Sequence, residues 1–241
     1  MALKPVSYGD NTFRIAYEIL NPDAKHDLIV LHGWGSDKGL MKQAFGRYLK
    51  HWRHIYVDLP GFGQSECDVP LKTQDYAAVV DRFLASIGAK KDVAVGHSFG
   101  GKVATLLDPD RLVLLSSAGI VMPKPLKVRM KIALFKALKP FGGGTLRRLF
   151  ASKDAAHMSE AMYQTFKNVV DEDFSDRFAA YGNPALLCWG REDSATPPEA
   201  GRRIAALMPK AELEMFDGDH YFFLQHPKAV SETMEAFLEK I

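Results

Sequence analysis

The clearest chemical pattern in the chain is the G-x-S-x-G segment at residues 96–100, which reads Gly-His-Ser-Phe-Gly. An apolar run at residues 92–95 precedes it, and a helical stretch at residues 99–107 follows. Glycines around a serine permit a sharp turn from a strand into a helix, which holds the hydroxyl outward near the positive end of the helix dipole. We therefore predict that Ser98 is a nucleophile. The alternative is a chance match, since a pattern with three fixed positions recurs by chance.

A serine hydroxyl is a weak nucleophile until a base takes its proton. We predict that the base is His220, which lies in the loop after the last predicted strand. The rival, His226, stands at the start of the final predicted helix, where a capping or surface role is expected. For His97 we expect a packing role, because neighbouring side chains at such a turn point apart.

A histidine base needs a carboxylate that holds its tautomer and stabilises its cation. Asp193 follows the apolar run at residues 185–189, and it completes the chain order Ser, Asp, His. We predict Asp193 for this role, with the adjacent Glu192 as the rival. The other interpretation of Asp193 is a helix N-cap before Pro197.

Attack on a carbonyl creates an oxyanion that needs two hydrogen-bond donors. The His-Gly-Trp-Gly loop at residues 32–35 follows an apolar run, and we assign one donor to the backbone N–H of Trp34. The second donor is the N–H of Phe99, immediately after the nucleophile. The alternative for the loop is a simple turn that ends a strand. Chemistry of this kind needs no metal and no organic cofactor.

The elements that would carry these residues alternate along the chain. Amphipathic helical stretches at residues 73–87, 197–208 and 227–241 lie between short apolar runs. Apolar runs of this length suit strands buried on both faces, so the alternation predicts an α/β fold with a doubly wound, mostly parallel sheet. The predicted strands are residues 13–20, 27–31, 54–57, 92–95, 111–115, 185–189 and 211–216.

One region interrupts the alternation, since residues 121–180 contain helical patterns and no strand pattern. We interpret it as a helical cap inserted into a core formed by residues 1–120 and 181–241. About 60 residues barely form a core of their own, so this segment should pack on the sheet.

The first half of the predicted cap is strongly basic, with eight Lys and Arg residues and no acid between positions 121 and 150. It has three interpretations: the solvated face of an amphipathic helix, a docking face for an acidic acyl carrier protein, or a contact with an anionic membrane surface. The candidate docking residues are Lys124, Lys127, Arg129 and Lys131.

Composition excludes several classes of protein. Of the 241 residues, 47% are hydrophobic and 25% are charged, as in an ordinary globular domain. A net charge of +2 does not suggest a nucleic-acid partner. No apolar run is long enough for a membrane span. Two distant cysteines, Cys67 and Cys188, form no disulfide framework, so we expect a cytoplasmic protein.

Taken together, these motifs resemble the α/β-hydrolase family. The resemblance covers nearly the whole chain outside the cap and includes residues 58–65, which are similar to the family's D-x-x-G-x-G-x-S segment. It implies the α/β-hydrolase fold and a serine hydrolase that cleaves a small carboxylic ester or thioester through an acyl-enzyme. Serine rather than aspartate at position 98 argues against an epoxide hydrolase or a dehalogenase.

Two branches of the family are the most similar. The run at residues 31–35 resembles the pimeloyl-acyl-carrier-protein methyl ester esterases, which would make a carrier-bound methyl ester one candidate substrate. It is also similar to the C–C hydrolases of meta-cleavage pathways, although many of those have asparagine where this chain has His97. A ligand-binding receptor or pseudoenzyme on the same fold is the third alternative.

Overall fold

A computed structural model of the protein describes residues 2–122 and 158–240. Within these residues, eight strands form one sheet in the order β1-β2-β4-β3-β5-β6-β7-β8. In chain order the strands are β1 (Ala2–Tyr8), β2 (Asn11–Leu20), β3 (His26–Leu31), β4 (Trp52–Val57), β5 (Val93–His97), β6 (Arg111–Leu115), β7 (Ala185–Gly190) and β8 (Ala211–Phe216).

The sheet is mixed but mostly parallel. β1 pairs with β2 and β2 pairs with β4 in antiparallel register, while every pair from β4 to β8 is parallel. All five residues of β5 are buried, as expected for a strand covered on both faces. At the edge, β8 instead alternates between exposed Glu212 and Glu214 and partly buried neighbours.

Helices cover both faces of this sheet. The described helices are α1 (Lys38–Phe45), α2 (Thr73–Ser86), α3 (Phe99–Leu106), α4 (Glu160–Val169), α5 (Ser175–Ala180), α6 (Pro198–Leu207), α7 (Phe222–Gln225) and α8 (Pro227–Leu238). Ile29 and Leu31 of β3 pack in one apolar core with residues of α2, α3 and α6, whereas Leu28 and Val30 pack in a second core with α1 and α8.

The predicted doubly wound α/β architecture is therefore confirmed, with element boundaries shifted by a few residues. Three elements were missed, one of which is the four-residue helix α7. β1 lies at the sheet edge and is mostly exposed, so its sequence lacks a continuous apolar run. α1 is only eight residues long and begins at an Asp37 cap, whose carboxylate accepts from Gly39 N at 2.7 Å.

The described part of the predicted cap, α4 and α5, is helical as expected. The basic residues Lys124, Lys127, Arg129 and Lys131 lie outside the described residues, and the division into core and cap stays a prediction. In residues 2–122 and 158–240, no helix combines the length and apolarity needed to span a bilayer.

Candidate active site

The serine predicted as nucleophile stands at the junction of β5 and α3. Ser98 adopts φ 51° and ψ −115°, in the left-handed half of backbone space that costs a non-glycine residue about 1–3 kcal/mol. The neighbouring loop compensates, because Ser98 N donates to the Leu115 carbonyl at 3.0 Å and the Ser98 carbonyl accepts from Ala118 N at 3.0 Å. The side chain is partly exposed.

Glycines make this turn sterically possible. A Cβ atom on Gly100 would overlap the backbone of His32 and lie 2.7 Å from the Leu31 carbonyl oxygen. A Cβ atom on Gly33 would lie 3.1 Å from the Cβ atom of Ser98. The loop after β3 and the turn after β5 are thus in close contact, which adds a second reason for glycine at position 100 to the sharp turn that the pattern predicted.

The predicted acid and base lie together at the carboxyl ends of β7 and β8. The Nδ1 atom of His220 is 2.8 Å from the Oδ2 atom of Asp193. The other carboxylate oxygen of Asp193 accepts from the backbone N–H groups of Ala195 at 2.8 Å and Thr196 at 2.9 Å. Burial alone would raise the pKa of Asp193, but these hydrogen bonds and its interaction with His220 bring the pKa below its ordinary value.

Thr196 completes this arrangement and was missed by sequence reasoning. Its Oγ1 atom lies 2.8 Å from Asp193 Oδ2, 3.0 Å from the Ser116 carbonyl and 3.3 Å from His220 Nδ1. The signal in the sequence was a threonine three residues after the acid, a spacing that favours a local turn. Asp193 caps this turn and not a helix, since the N-cap of α6 is Pro197.

The rival residues lie elsewhere. His226 is exposed at the junction of α7 and α8. Glu192 is also exposed, and its carboxylate accepts from Gly218 N at 2.5 Å instead of contacting His220.

The two predicted oxyanion donors belong to the turn that carries the serine and to the loop in contact with that turn. Phe99 is the first residue of α3, so its N–H has no acceptor within the helix. Trp34 lies one residue after Gly33, beside the serine. In the part of the chain that the structure describes, neither N–H donates to a protein acceptor. Both groups are therefore available to an anionic oxygen.

His32 has a structural role in holding this loop. Its ring is fully buried, with Nδ1 2.7 Å from the Gly33 carbonyl and Nε2 accepting from Leu59 N at 3.0 Å. Burial lowers the pKa of His32, which keeps the ring neutral.

The segment at residues 58–65 is structural as well. The buried Asp58 carboxylate accepts from Lys38 Nζ at 2.6 Å and from Gln64 N at 3.0 Å. Ser65 Oγ donates to the Asp58 carbonyl at 2.8 Å and accepts from Ala16 N at 2.8 Å. These bonds anchor the loop after β4 to neighbouring segments.

Aromatic rings form an apolar wall next to the predicted oxyanion loop. The Trp34 ring centroid lies 4.8 Å from that of Phe62, 5.6 Å from Phe99 and 5.4 Å from Phe166 of α4. Trp34, Phe62 and Phe166 are all partly exposed, so an apolar group can reach this wall.

A buried lysine holds α4 in this place. Lys102 of α3 is 1% exposed, and its Nζ atom donates to the Val169 carbonyl at 2.7 Å and to Glu172 at 2.9 Å. Burial lowers the pKa of Lys102, while Glu172 opposes that shift. The pair connects the helix behind the serine to the end of the helix that carries Phe166.

Known proteins share this architecture. The uncharacterized hydrolase YugF of Bacillus subtilis is 26% identical in an alignment 263 residues long. The alignment covers 93% of this chain and 94% of that protein. A pimeloyl-acyl-carrier-protein methyl ester esterase of Photobacterium profundum is 24% identical, covering 88% of this chain and 94% of that protein. Among solved structures, a thermophilic esterase from Thermogutta terrifontis has a TM-score of 0.76 at 18% identity, covering 100% of this chain and 99% of that one.

The family comparison agrees with the fold and with the resemblance found in the sequence. The profile described as "Alpha/beta hydrolase family" matches residues 28–233, which extend from within β3 to within α8. The chain therefore belongs to the α/β-hydrolase family.

Proposed function

We propose that this hydrolase is a serine esterase in which Ser98 is the nucleophile, His220 the general base and Asp193 the carboxylate that orients the base. The observation that carries the proposal is the 2.8 Å contact between His220 Nδ1 and Asp193 Oδ2, at the same sheet edge as a strained, partly exposed serine. With Nδ1 bonded to the carboxylate, Nε2 is the nitrogen left to take a proton.

The reaction has two halves. Ser98 Oγ attacks the carbonyl carbon of the ester while its proton passes to His220, and the carbonyl electron pair moves to the oxygen. The tetrahedral intermediate collapses, and the C–O bond to the alcohol breaks as His220 returns the proton to the leaving oxygen. Water then attacks the acyl-enzyme with its proton passing to His220, and Ser98 leaves as a hydroxyl.

The oxyanion of each tetrahedral intermediate would be held by the N–H groups of Trp34 and Phe99. A helix N-terminus favours negative charge, so the Phe99 position adds a dipole to its hydrogen bond. The loss of one such donor costs about 10²–10³-fold in rate in enzymes of this chemistry.

Labelling with a fluorophosphonate tests the nucleophile. We expect the probe to modify Ser98, identified by peptide mapping, and to leave the Ser98→Ala variant unlabelled. Ester hydrolysis by Ser98→Ala should fall by a factor on the order of 10⁴ while its melting temperature stays close to that of the wild type. Labelling at another residue, or activity of the variant within tenfold of the wild type, would overturn the proposal.

A finer proposal concerns the substrate. We propose an ester of an apolar acyl chain, because the partly exposed aromatic wall of Trp34, Phe62 and Phe166 contacts Phe99, the residue after the serine. Nitrophenyl esters of increasing acyl length provide the test, and kcat/KM should rise from acetyl to longer chains. A ring-fission dienoate serves as the comparison substrate, and preferential cleavage of its C–C bond would favour a C–C hydrolase instead.

A carrier-bound acyl ester is the most specific candidate. It is supported by the name of the Photobacterium profundum relative and by the eight basic residues between positions 121 and 150. Charge reversal of Lys124, Lys127, Arg129 and Lys131 should raise KM for an acyl-carrier-protein methyl ester and leave kcat on a small neutral ester unchanged.

The matched control reverses four exposed lysines elsewhere, namely Lys25, Lys50, Lys90 and Lys228. Increasing salt from about 50 to 500 mM should weaken the preference for the carrier-bound ester, because the Debye length shortens. If the two quadruple variants behave alike on both substrates, the basic stretch is only a solvated surface.

A further inference from the structure

One buried imidazole lies between the His220 segment and the Gly33 loop, next to Ser98 in the chain. His97 is the last residue of β5 and is 1% exposed. Its Nε2 atom lies 3.1 Å from the backbone carbonyl oxygen of His220. Its ring centroid is 4.6 Å from the His220 ring and 4.9 Å from the Phe223 ring.

The hydrogen bond determines the tautomer of this ring. A carbonyl oxygen only accepts hydrogen bonds. The Nε2 atom of His97 must therefore carry the ring proton, and Nε2–H donates a hydrogen bond to the His220 carbonyl oxygen. Nδ1 is then an acceptor, and it is buried with no partner among the described residues. Burial lowers the pKa of His97 to about 3, so the ring is neutral at pH 5 and above.

Packing alone does not explain a histidine at this position. A phenylalanine would fill similar space without burying an unpaired acceptor, which is unfavourable. What the histidine adds is the Nε2–H donor. In the part of the chain described by the structure, no backbone N–H reaches the His220 carbonyl, so His97 alone satisfies it.

The other edge of the ring faces the predicted oxyanion loop. A Cβ atom on Gly33 would lie 2.8 Å from His97 Nδ1 and 3.2 Å from its Cε1 atom. The ring therefore fills the space that a side chain at position 33 would need. It sets how closely the loop that carries Trp34 approaches the turn that carries Ser98.

We propose that His97 is a positioning residue, which holds the His220 backbone through Nε2–H while its ring packs against the Gly33 loop. The inference rests on the proposed function, in which these segments supply the base and an oxyanion donor. Small displacements of such groups cost up to about 10²-fold in rate, which sets the scale of the expected effect.

Three variants separate the donor from the ring. The side-chain nitrogen of Gln stands as many bonds from Cβ as Nε2 of histidine, whereas that of Asn is one bond closer. His97→Gln should retain kcat within about fivefold, while His97→Asn and His97→Phe should lose about 10–100-fold in kcat with KM nearly unchanged. Equal kcat for the three variants, or a Gln variant as impaired as the Phe variant at equal melting temperature, would overturn the proposal.

A measurement on the wild type keeps the test independent of folding in the variants. Nitrogen-15 NMR of labelled histidine should show His97 neutral, with its proton on Nε2, at pH 5 and above. A proton on Nδ1, or a charged ring at that pH, would refute the assignment. Fluorophosphonate labelling of wild-type Ser98 is measured first. If the wild type is not labelled, the proposed esterase function is wrong. If the wild type is labelled but the three His97 variants have equal kcat, only this inference is wrong.

Discussion

The serine turn and the acid–base pair lie at the same sheet edge but are held by different forces. The turn is fixed by backbone contacts, since Gly100 packs against the Leu31 and His32 carbonyls and Ser98 adopts a strained φ. The pair is fixed by side-chain hydrogen bonds, in which Asp193 accepts from two N–H groups and from Thr196. This difference predicts that substitution of a glycine in the turn mainly costs folding, whereas substitutions in the pair mainly cost rate.

After replacement of the nucleophile itself, the largest effect is expected at the acid. Asp193→Asn removes the charge that orients and stabilises a protonated His220, so kcat should fall by about 10³-fold or more. The melting temperature should change much less than the rate, because the amide oxygen still accepts from Ala195 N and Thr196 N. Steady-state kinetics and thermal melts measure both quantities. Glu192→Gln is the control and should stay within about threefold in kcat; an equal loss in the two variants would contradict the assignment.

The matching change in the turn is Gly100→Ala. Its methyl group would overlap backbone atoms that cannot rotate away, so the free energy of unfolding should fall by about 3 kcal/mol. Urea unfolding measures this loss. The control is Gly182→Ala, where a Cβ atom meets nothing within 4 Å and the change should be within about 0.5 kcal/mol. A Gly100→Ala protein as stable as the control would break the comparison.

The free energy of unfolding should depend on pH through the serine turn, because the buried His97 belongs to this turn. Burial, then the nearby His220, lowers the pKa of His97 from 6.5 to about 3, with Asp193 opposing and His32 adding to the shift. Between these values the unfolded chain binds a proton at this residue and the native protein does not. The free energy of unfolding therefore decreases as pH falls, by about 1.4 kcal/mol per pH unit for one proton.

The variant that checks this is His97→Gln, which has no proton to bind in either state. Urea unfolding between pH 4.5 and 7 should give the variant a shallower dependence on pH than the wild type. His32 and His54, whose pKa values burial also lowers, are present in both proteins, so the difference between the two curves reports on position 97. Parallel curves for the two proteins would show that His97 does not titrate differently in the native and unfolded states.

The smallest expected effect is at Thr196. Thr196→Val keeps the shape of the side chain but removes the hydroxyl next to Asp193 Oδ2 and His220 Nδ1, so kcat should fall by about tenfold. Thr196→Ser retains the hydroxyl and should stay within about threefold. Kinetics with one nitrophenyl ester compare the two variants, and a Ser variant as slow as the Val variant would assign the effect to packing.

The sequence by itself determined the fold class and the position of the serine. Both depend on local patterns: buried parallel strands need short apolar runs, and a sharp strand-to-helix turn needs glycines near Ser98. β1 and α1 escaped prediction because neither has a periodic apolar pattern long enough to stand out. Their place comes from pairing with β2 and from packing against the second apolar core.

Only the tertiary structure decided which polar groups meet. Asp193 and Glu192 are adjacent in sequence, yet Asp193 lies against the His220 ring and Glu192 accepts from Gly218 N. The contact of Thr196 with the Ser116 carbonyl joins residues that are 80 positions apart, and that of His97 with the His220 carbonyl joins residues 123 apart. Such contacts follow from strand order and register, which bring separate loops to one sheet edge, and no local pattern in the sequence encodes that meeting.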